Sequence, residues 1–434
     1  MLAIQRLLVA VVALVAAALM HHVAATVPRR SPNFMTGFSS AGFDAASVKQ
    51  MAEVGATHVR RYILWGDFEN TLHSLDHNLT LVSLKADPQR LIYDYGSTLN
   101  WAYGDEQVQN TIAQNITPIV ELSEGTHFGL PHYNNTYADP SVIGIPLYLA
   151  YQYRFCRAAV HRYKLMGVKL YQIENELNEA LLSGFDGQRL VSFVWANWTF
   201  LTELLTVLRD AVKDEDSTAS VTTNLHTDVP LVVHQLLDLP GYYLDALANW
   251  SYLLDVISLD AYPNMLVASP MGCTNVSSRV AAAMSVVAGT NKSVFIMETG
   301  YPVNADNNTN NVPAVFNFTT EAQAAYAYGV VNAVRDVGGA GVLYFKFTES
   351  LGMQAPPGGY TSEDVSFFHE LQQFLWTNSI DSVIAWLLEP GSFEELLTRA
   401  SFFMSQPDKN GWGAFRLDGT PRPIVAALKK AFLG

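Results

Sequence analysis

Eight short, β-prone apolar runs recur along this chain, and stretches of helical period lie between most of them. The runs fall at Phe34–Ser39, His58–Trp65, Thr117–Leu122, Lys169–Ile173, Ser220–Asn224, Val256–Asp260, Ser293–Met297 and Gly341–Phe345. Strands that alternate with helices build a parallel sheet with helices packed on it. Eight is the number at which such a sheet closes into a (β/α)8 barrel. The expected fold class is therefore α/β, a (β/α)8 TIM barrel. With 434 residues, 49% of them hydrophobic, the chain has material for a large core.

The helical stretches fit this order. Asp44 is a plausible N-cap for a helix over Asp44–Val54. Further helices are expected at Leu147–Lys164, Leu190–Lys213 and Thr320–Asp336, the last stopped by Gly338-Gly339. The final barrel helix arrives late, at Pro421–Phe432. Before it, about 362–406 reads as an inserted set of amphipathic helices. One apolar stripe there is Phe367, Phe368, Leu371, Phe374 and Leu375; the other is Val383, Ile384, Trp386, Leu387 and Leu388. The insertion either packs beside the barrel or forms a wall over its active face. The expected organisation is a signal peptide over 1–25 and one barrel domain over 26–434 that carries this insertion.

The N-terminus supports the signal. Arg6 precedes the apolar run Leu7–Leu19, and Val23-Ala24-Ala25 supplies small residues before Thr26. That run is short for a membrane span, so no membrane association is expected after cleavage. Nine Asn-X-Ser/Thr sequons begin at Asn78, Asn115, Asn134, Asn197, Asn249, Asn275, Asn291, Asn307 and Asn317. They point to N-linked glycans and a secreted, extracellular or lumenal protein. Asn115 and Asn291 precede strands and would decorate the barrel's N-terminal face. Two cysteines, Cys156 and Cys273, allow one disulfide at most. No zinc-ligand spacing is present, and neither metal nor organic cofactor is called for. The net charge of −14 and the lack of a basic run argue against nucleic acid. They favour a neutral glycan over a polyanion.

Two glutamates stand where barrel enzymes keep their chemistry, at the C-terminal ends of strands. Glu176 follows the fourth run and Glu298 the seventh. A pair of carboxyl groups is what retaining glycoside hydrolysis requires: one serves as acid and then base, the other as nucleophile. Asn175, just before Glu176, can hydrogen-bond a sugar 2-hydroxyl. Asn178-Glu179 repeats the Asn-Glu pair, but Asn175-Glu176 follows the strand directly. A lone strand-end glutamate is ordinarily a surface ion-pair partner. Two of them on the fourth and seventh of eight strands are not explained that way.

Ile173-Glu174-Asn175-Glu176-Leu177-Asn178 resembles the acid/base motif of the clan A (β/α)8 retaining glycoside hydrolases. Met297-Glu298-Thr299-Gly300-Tyr301-Pro302 resembles their nucleophile motif, and is especially similar to endo-β-1,3-glucanases and endo-β-1,4-galactanases. The resemblance runs from about Phe34 to the C-terminus. It implies that Arg60, in Ala56-Thr57-His58-Val59-Arg60, and Tyr262, in Asp260-Ala261-Tyr262-Pro263, hydrogen-bond the nucleophile. Arg61 points to the other face of its strand. His226 is a candidate to touch the glycone or the acid. Leu177 replaces the usual Pro after the acid/base. Clan members commonly carry a Trp sugar platform on the eighth strand; here Phe345 or Phe347 stands in its place, and Trp65 is a second candidate platform. Gly411–Pro423 resembles the turn into the last helix.

These readings converge on a secreted retaining β-glycoside hydrolase, endo-acting on a neutral glucan, galactan or mannan. Glu176 and Glu298 would be catalytic. Asn175, Arg60, Tyr262, His226, Trp65 and Phe345 would bind substrate or hold the pair. The alternatives are an exo-acting β-glycosidase and a catalytically silent glycan-binding protein on the same barrel.

Overall fold

A computed structural model describes residues 33–125, 129–179, 192–228, 242–264, 271–303, 319–349, 378–392 and 411–434, with single residues between 363 and 374. Eight parallel strands form a closed barrel. They are β1 (Met35–Phe38), β2 (His58–Tyr62), β3 (Thr117–Glu121), β4 (Leu170–Asn175), β5 (Ser220–His226), β6 (Ile257–Asp260), β7 (Val294–Glu298) and β8 (Gly341–Tyr344). Closure is made by β1, which pairs with β8 through Met35 to Gly341 and with β2 through Gly37 to His58. The expected (β/α)8 barrel is the observed fold.

Eight helices surround the strands: α1 (Ala45–Val54), α2 (Ala102–Ala113), α3 (Ile145–Lys164), α4 (Trp198–Glu215), α5 (Tyr243–Trp250), α6 (Gly272–Val286), α7 (Thr320–Asp336) and α8 (Pro423–Leu433). Asp44 caps α1 as expected, accepting from the Ser47 N–H at 2.9 Å. The opposite end stops at Gly55, whose φ of +97° suits a residue without a Cβ. Late in the sequence, α8 packs on both α7 and α1 and completes the helical ring.

The core has two parts. Ile119, Phe295, Met297 and Leu343 fill the barrel interior. Apolar strand residues that point outward, such as Val59, Ile173, Leu225 and Leu259, pack against the helices in a much larger layer. The interior plug is closed and apolar, so chemistry is left to the end above it, where the strands terminate.

Three expectations meet particular outcomes here. Strand β2 ends at Tyr62, and Trp65 begins a short helix over Trp65–Phe68 instead of ending the strand. Cys156 and Cys273 are both free, each donating its thiol to a carbonyl (Leu122 and Tyr326). Within the expected insertion, a helix spans Ile380–Leu387 with Val383 buried; the rest of that segment, apart from a few residues, lies outside the described residues, as do residues 1–25. Among the described residues, no helix is long and apolar enough to cross a membrane.

Candidate active site

Both glutamates sit just after a break in strand register. On β4, Gln172 pairs with Thr222 and Asn175 with Asn224, so three steps on β4 face two on β5. On β7, Ile296 pairs with Leu259 and Glu298 with Asp260, so two steps face one. Each is a bulge of one extra residue, a device that re-aims a side chain. In an unbroken strand Asn175 and Glu176 would point to opposite faces. Here Glu174 (φ +64°) and Glu176 (φ +47°) take left-handed backbone, which turns both neighbours toward the mouth. Such conformations cost about 1 kcal/mol or more each for residues with a Cβ. The Glu174 carboxylate anchors the bulge: it accepts from the Gly125 N–H at 3.0 Å and from the Ser123 hydroxyl.

Glu298 is gripped from two sides. The Arg60 Nη1 donates to one oxygen and the Tyr262 hydroxyl to the other. Arg60 itself is buried and serves three partners. Its Nε donates to Glu121 Oε2 at 2.7 Å, and its Nη2 donates to Asn175 Oδ1 at 3.1 Å. Burial alone would lower the Arg60 pKa, but the charges of Glu121, Asp260 and Glu124 outweigh it and hold the guanidinium above its ordinary value. A permanent cation therefore lies against Glu298.

Glu176 opens on the same end. His226 Nε2 lies 3.9 Å from Glu176 Oε1, and its Nδ1 is 2.5 Å from Glu179 Oε1. Burial would pull the imidazole pKa down, yet Glu179 and Glu176 together push it well above its ordinary value. The His226 and Tyr262 rings face each other at 6.1 Å, and Tyr262 reaches on to Glu298. One continuous set of contacts thus joins the two glutamates across the mouth.

Carboxyl groups outnumber cations here. Burial pushes Glu121 up, against the pull of Arg60. Burial and then the charge of Glu121 raise Glu124 well above its usual range. Burial and then Glu176 do the same to Asp260. Burial thus works against the charged form of each of these carboxyls.

The sequence candidates separate clearly. Arg60, Asn175, Glu176, His226, Tyr262 and Glu298 come together, and Arg61 points away toward Thr111. Phe345 is half-buried at the same mouth, with its ring edge-on to Tyr262 at 5.8 Å. Trp65 is a correction. Its ring is fully buried, stacks on Tyr151 at 5.4 Å and donates to Glu69 at 2.9 Å, so it is a core residue and no sugar platform. The tryptophan at the mouth is Trp412, edge-on to Tyr262 at 5.5 Å. Gly300 makes its approach possible, because a Cβ there would meet both the Trp412 ring and the Phe345 carbonyl. Sequence reasoning also passed over Glu121, Glu124, Asn224 and Asp260. Three of them stand at or near the ends of strand candidates, the same signal that singled out Glu298. Among the described residues, no group of three or more His, Cys, Asp or Glu is arranged to hold a metal ion.

A closed parallel barrel with this end-of-strand arrangement belongs to the O-glycosyl hydrolases of the (β/α)8 class. The family model described as Glycosyl hydrolase family 53 matches residues 40–381, more than half of the chain. The protein is a member of that family. No curated protein matches the chain. Among solved structures, the GH5_18 protein from Streptomyces cattleya aligns at TM-score 0.55 and 14% identity, over 92% of this chain and 80% of that one. The GH5_18 protein from Bifidobacterium longum subsp. infantis aligns at 0.52 and 12%, over 92% and 78%. The exo-beta-1,4-mannosidase Op5Man5 from Opitutaceae bacterium strain TAV5 aligns at 0.52 and 13%, over 92% of this chain. This chain spans only 59% of the length of that mannosidase. At such identities the likeness is one of fold.

Proposed function

We propose that this protein is a secreted, retaining endo-β-glycanase with Glu176 as acid/base and Glu298 as nucleophile. The observation that carries this reading is the double grip of Arg60 and Tyr262 on Glu298, with Glu176 linked across the mouth through His226. In the first step the Glu298 carboxylate attacks the anomeric carbon. The glycosidic C–O bond breaks, and Glu176 gives its proton to the departing oxygen. In the second step Glu176 takes a proton from water, the water oxygen bonds to the anomeric carbon, and Glu298 leaves. Asn175 hydrogen-bonds the 2-hydroxyl through its amide, held by Arg60. Phe345 and Trp412 offer flat apolar surface to the sugar ring. No cofactor takes part.

Family 53 membership supports β-1,4-galactan as the first substrate to try. An endo mode is supported by Phe193, 84% exposed on the segment between β4 and α4, where an extended chain could run. An exo mode is the second reading. The Arg6–Ala25 segment supports secretion. Asn78, Asn115, Asn134, Asn197, Asn249 and Asn291 are exposed and accessible for glycosylation, and Asn275 is half-buried. Asn307 and Asn317 lie outside the described residues. The helical insertion at about 362–406 is proposed to flank the active face, because it enters from the end of β8.

The test is to express the chain from Thr26 and its Glu298→Ala variant, and to follow reducing ends on β-1,4-galactan, β-1,3-glucan and β-mannan. Release by the wild type alone, with azide converting an activated substrate to a glycosyl azide in the variant, supports the assignment. No release from any of these glycans by folded protein overturns the enzyme reading and leaves the silent binder.

A further inference from the structure

Beneath the two glutamates lies a buried amide whose four hydrogen-bonding positions are all taken. Asn224, on β5, is fully buried. Its Oδ1 accepts from Gln172 Nε2 at 2.7 Å and from the backbone N–H of Glu176 at 3.4 Å. Its Nδ2 donates to Asn175 Oδ1 at 2.6 Å and to Asp260 Oδ2. The orientation of this amide has one solution. A backbone N–H can only donate, so the side facing Glu176 must be oxygen. With the oxygen facing Glu176, the nitrogen faces Asn175 and Asp260.

We propose that Asn224 is a positioning residue for the reaction, fixing the backbone of Glu176 and, braced by Asp260, setting where the acid/base carboxyl stands. This rests on the assignment of Glu176 above. The physical need is local. Glu176 is in left-handed backbone directly after a bulge, where the β4–β5 ladder is interrupted. The side chain of Asn224 supplies a tie to the Glu176 N–H that crosses the interrupted register. Asn175 depends on Asn224 less, because its Oδ1 also accepts from Arg60 at 3.1 Å and from Gln172 at 3.4 Å. Asp260 completes the brace. Its Oδ2 is spent on Asn224, and its Oδ1 is buried with no hydrogen-bond partner among the described residues. Removing Asn224 should therefore displace the acid/base more than the sugar-binding amide.

Proton donation matters in proportion to how poor the leaving group is, and a merely structural role has no such signature. The experiment measures kcat/KM for phenyl and 2,4-dinitrophenyl β-1,4-galactobiosides with wild type, Asn224→Ala, Asp260→Ala and Glu176→Ala. For Asn224→Ala the phenyl substrate should lose about 100-fold and the dinitrophenyl substrate less than about 5-fold. Asp260→Ala, which reaches Asn224 from the far side, should show the same split at about 10-fold on the phenyl substrate. It also serves as the second variant if Asn224→Ala does not fold. Equal losses on both substrates, or no loss, while Glu176→Ala shows the split, overturn the role of Asn224 alone. A Glu176→Ala variant without the split overturns the acid/base assignment, and this inference with it. A crystal structure of Asn224→Ala gives a readout independent of the sugar. A shifted Glu176 carboxyl is expected, and an unmoved one overturns the proposal.

Discussion

Two buried groups of charges in this molecule are built in opposite ways. On the outside of the barrel, Glu215 at the end of α4 meets four donors: the Tyr93 hydroxyl at 2.8 Å, Arg157 Nε at 3.1 Å, His161 Nδ1 at 2.7 Å and Lys164 Nζ. Burial alone would raise this carboxyl, but the hydrogen bonds from Lys164, His161, Tyr93 and Arg157 prevail and bring its pKa down to about 2. At the mouth the balance is reversed. Glu121, Glu124 and Asp260 crowd round Arg60, their carboxyls are pushed up, and Glu121 Oε1 and Asp260 Oδ1 lack hydrogen-bond partners among the described residues. The outer cluster joins α3 and α4 and stabilises the fold. The mouth holds unmet polar capacity and left-handed backbone, which suits a place that a polar ligand completes.

The comparison breaks most directly at Glu298. Glu298→Gln is expected to lower kcat about 10,000-fold or more on any substrate the wild type cleaves. Its melting temperature should stay level or rise, since a functional residue is replaced without emptying the core. A large fall in melting temperature would place Glu298 with the stabilising cluster. Trp65→Ala should do the converse, costing about 4 kcal/mol in chemical denaturation with little change in kcat for the folded enzyme. A selective loss of substrate binding would restore Trp65 as a platform. Glu215→Ala should cost about 2 kcal/mol, because four donors lose their acceptor, and leave KM unchanged.

The pH dependence of stability sharpens the contrast, because the two regions have opposite signs. Glu215 has a folded pKa of about 2 against an ordinary 4.5. Between these values the unfolded chain binds more protons, so stability rises with pH. Glu121 has a folded pKa above its ordinary 4.5. Above that pH the unfolded chain gives up its proton first, so stability falls as pH rises toward the folded value. The stability that these two groups contribute should be greatest near pH 4.5, the ordinary value they share. Glu215→Gln should flatten the acid limb and Glu121→Gln the alkaline limb. A curve whose limbs respond to the other substitution would reverse the comparison. The smallest expected effect is at Phe193, where Phe193→Ala should raise KM on polymeric galactan about threefold and leave aryl galactobiosides unaffected.

Much of the fold was legible because its cause is local. Each barrel strand is a short apolar run whose outward residues pack on helices, and period and turn residues mark the boundaries. Asp44 capped its helix through its carboxylate, and Gly338, lacking a Cβ, took the left-handed backbone that ends one. The site was legible where carboxyls follow strands, which is how Glu176 and Glu298 stood out; Arg60 and Tyr262 were legible only through the resemblance of their motifs to the clan A hydrolases. It was not legible where the same residue type serves two purposes. Trp65 and Trp412 both flank strand-end segments, yet one is stacked in the core on Tyr151 and the other lies at the mouth against Tyr262. Glu121 and Asp260 share the strand-end position of Glu298, and only the folded barrel shows that they surround Arg60.

The sequence by itself determined the number of strands, their order, and the placing of Glu176 and Glu298 at the ends of the fourth and seventh. Alternation then says that Asn175 and Glu176 face opposite ways, and that Glu298 faces away from the interior shared by Phe295 and Met297. Only the tertiary structure decided otherwise. One extra residue on β4 and one on β7 shift the register against their neighbours and bring these side chains to the mouth. A bulge belongs to the pairing of two strands and not to either strand alone, so it becomes fixed only when the barrel closes.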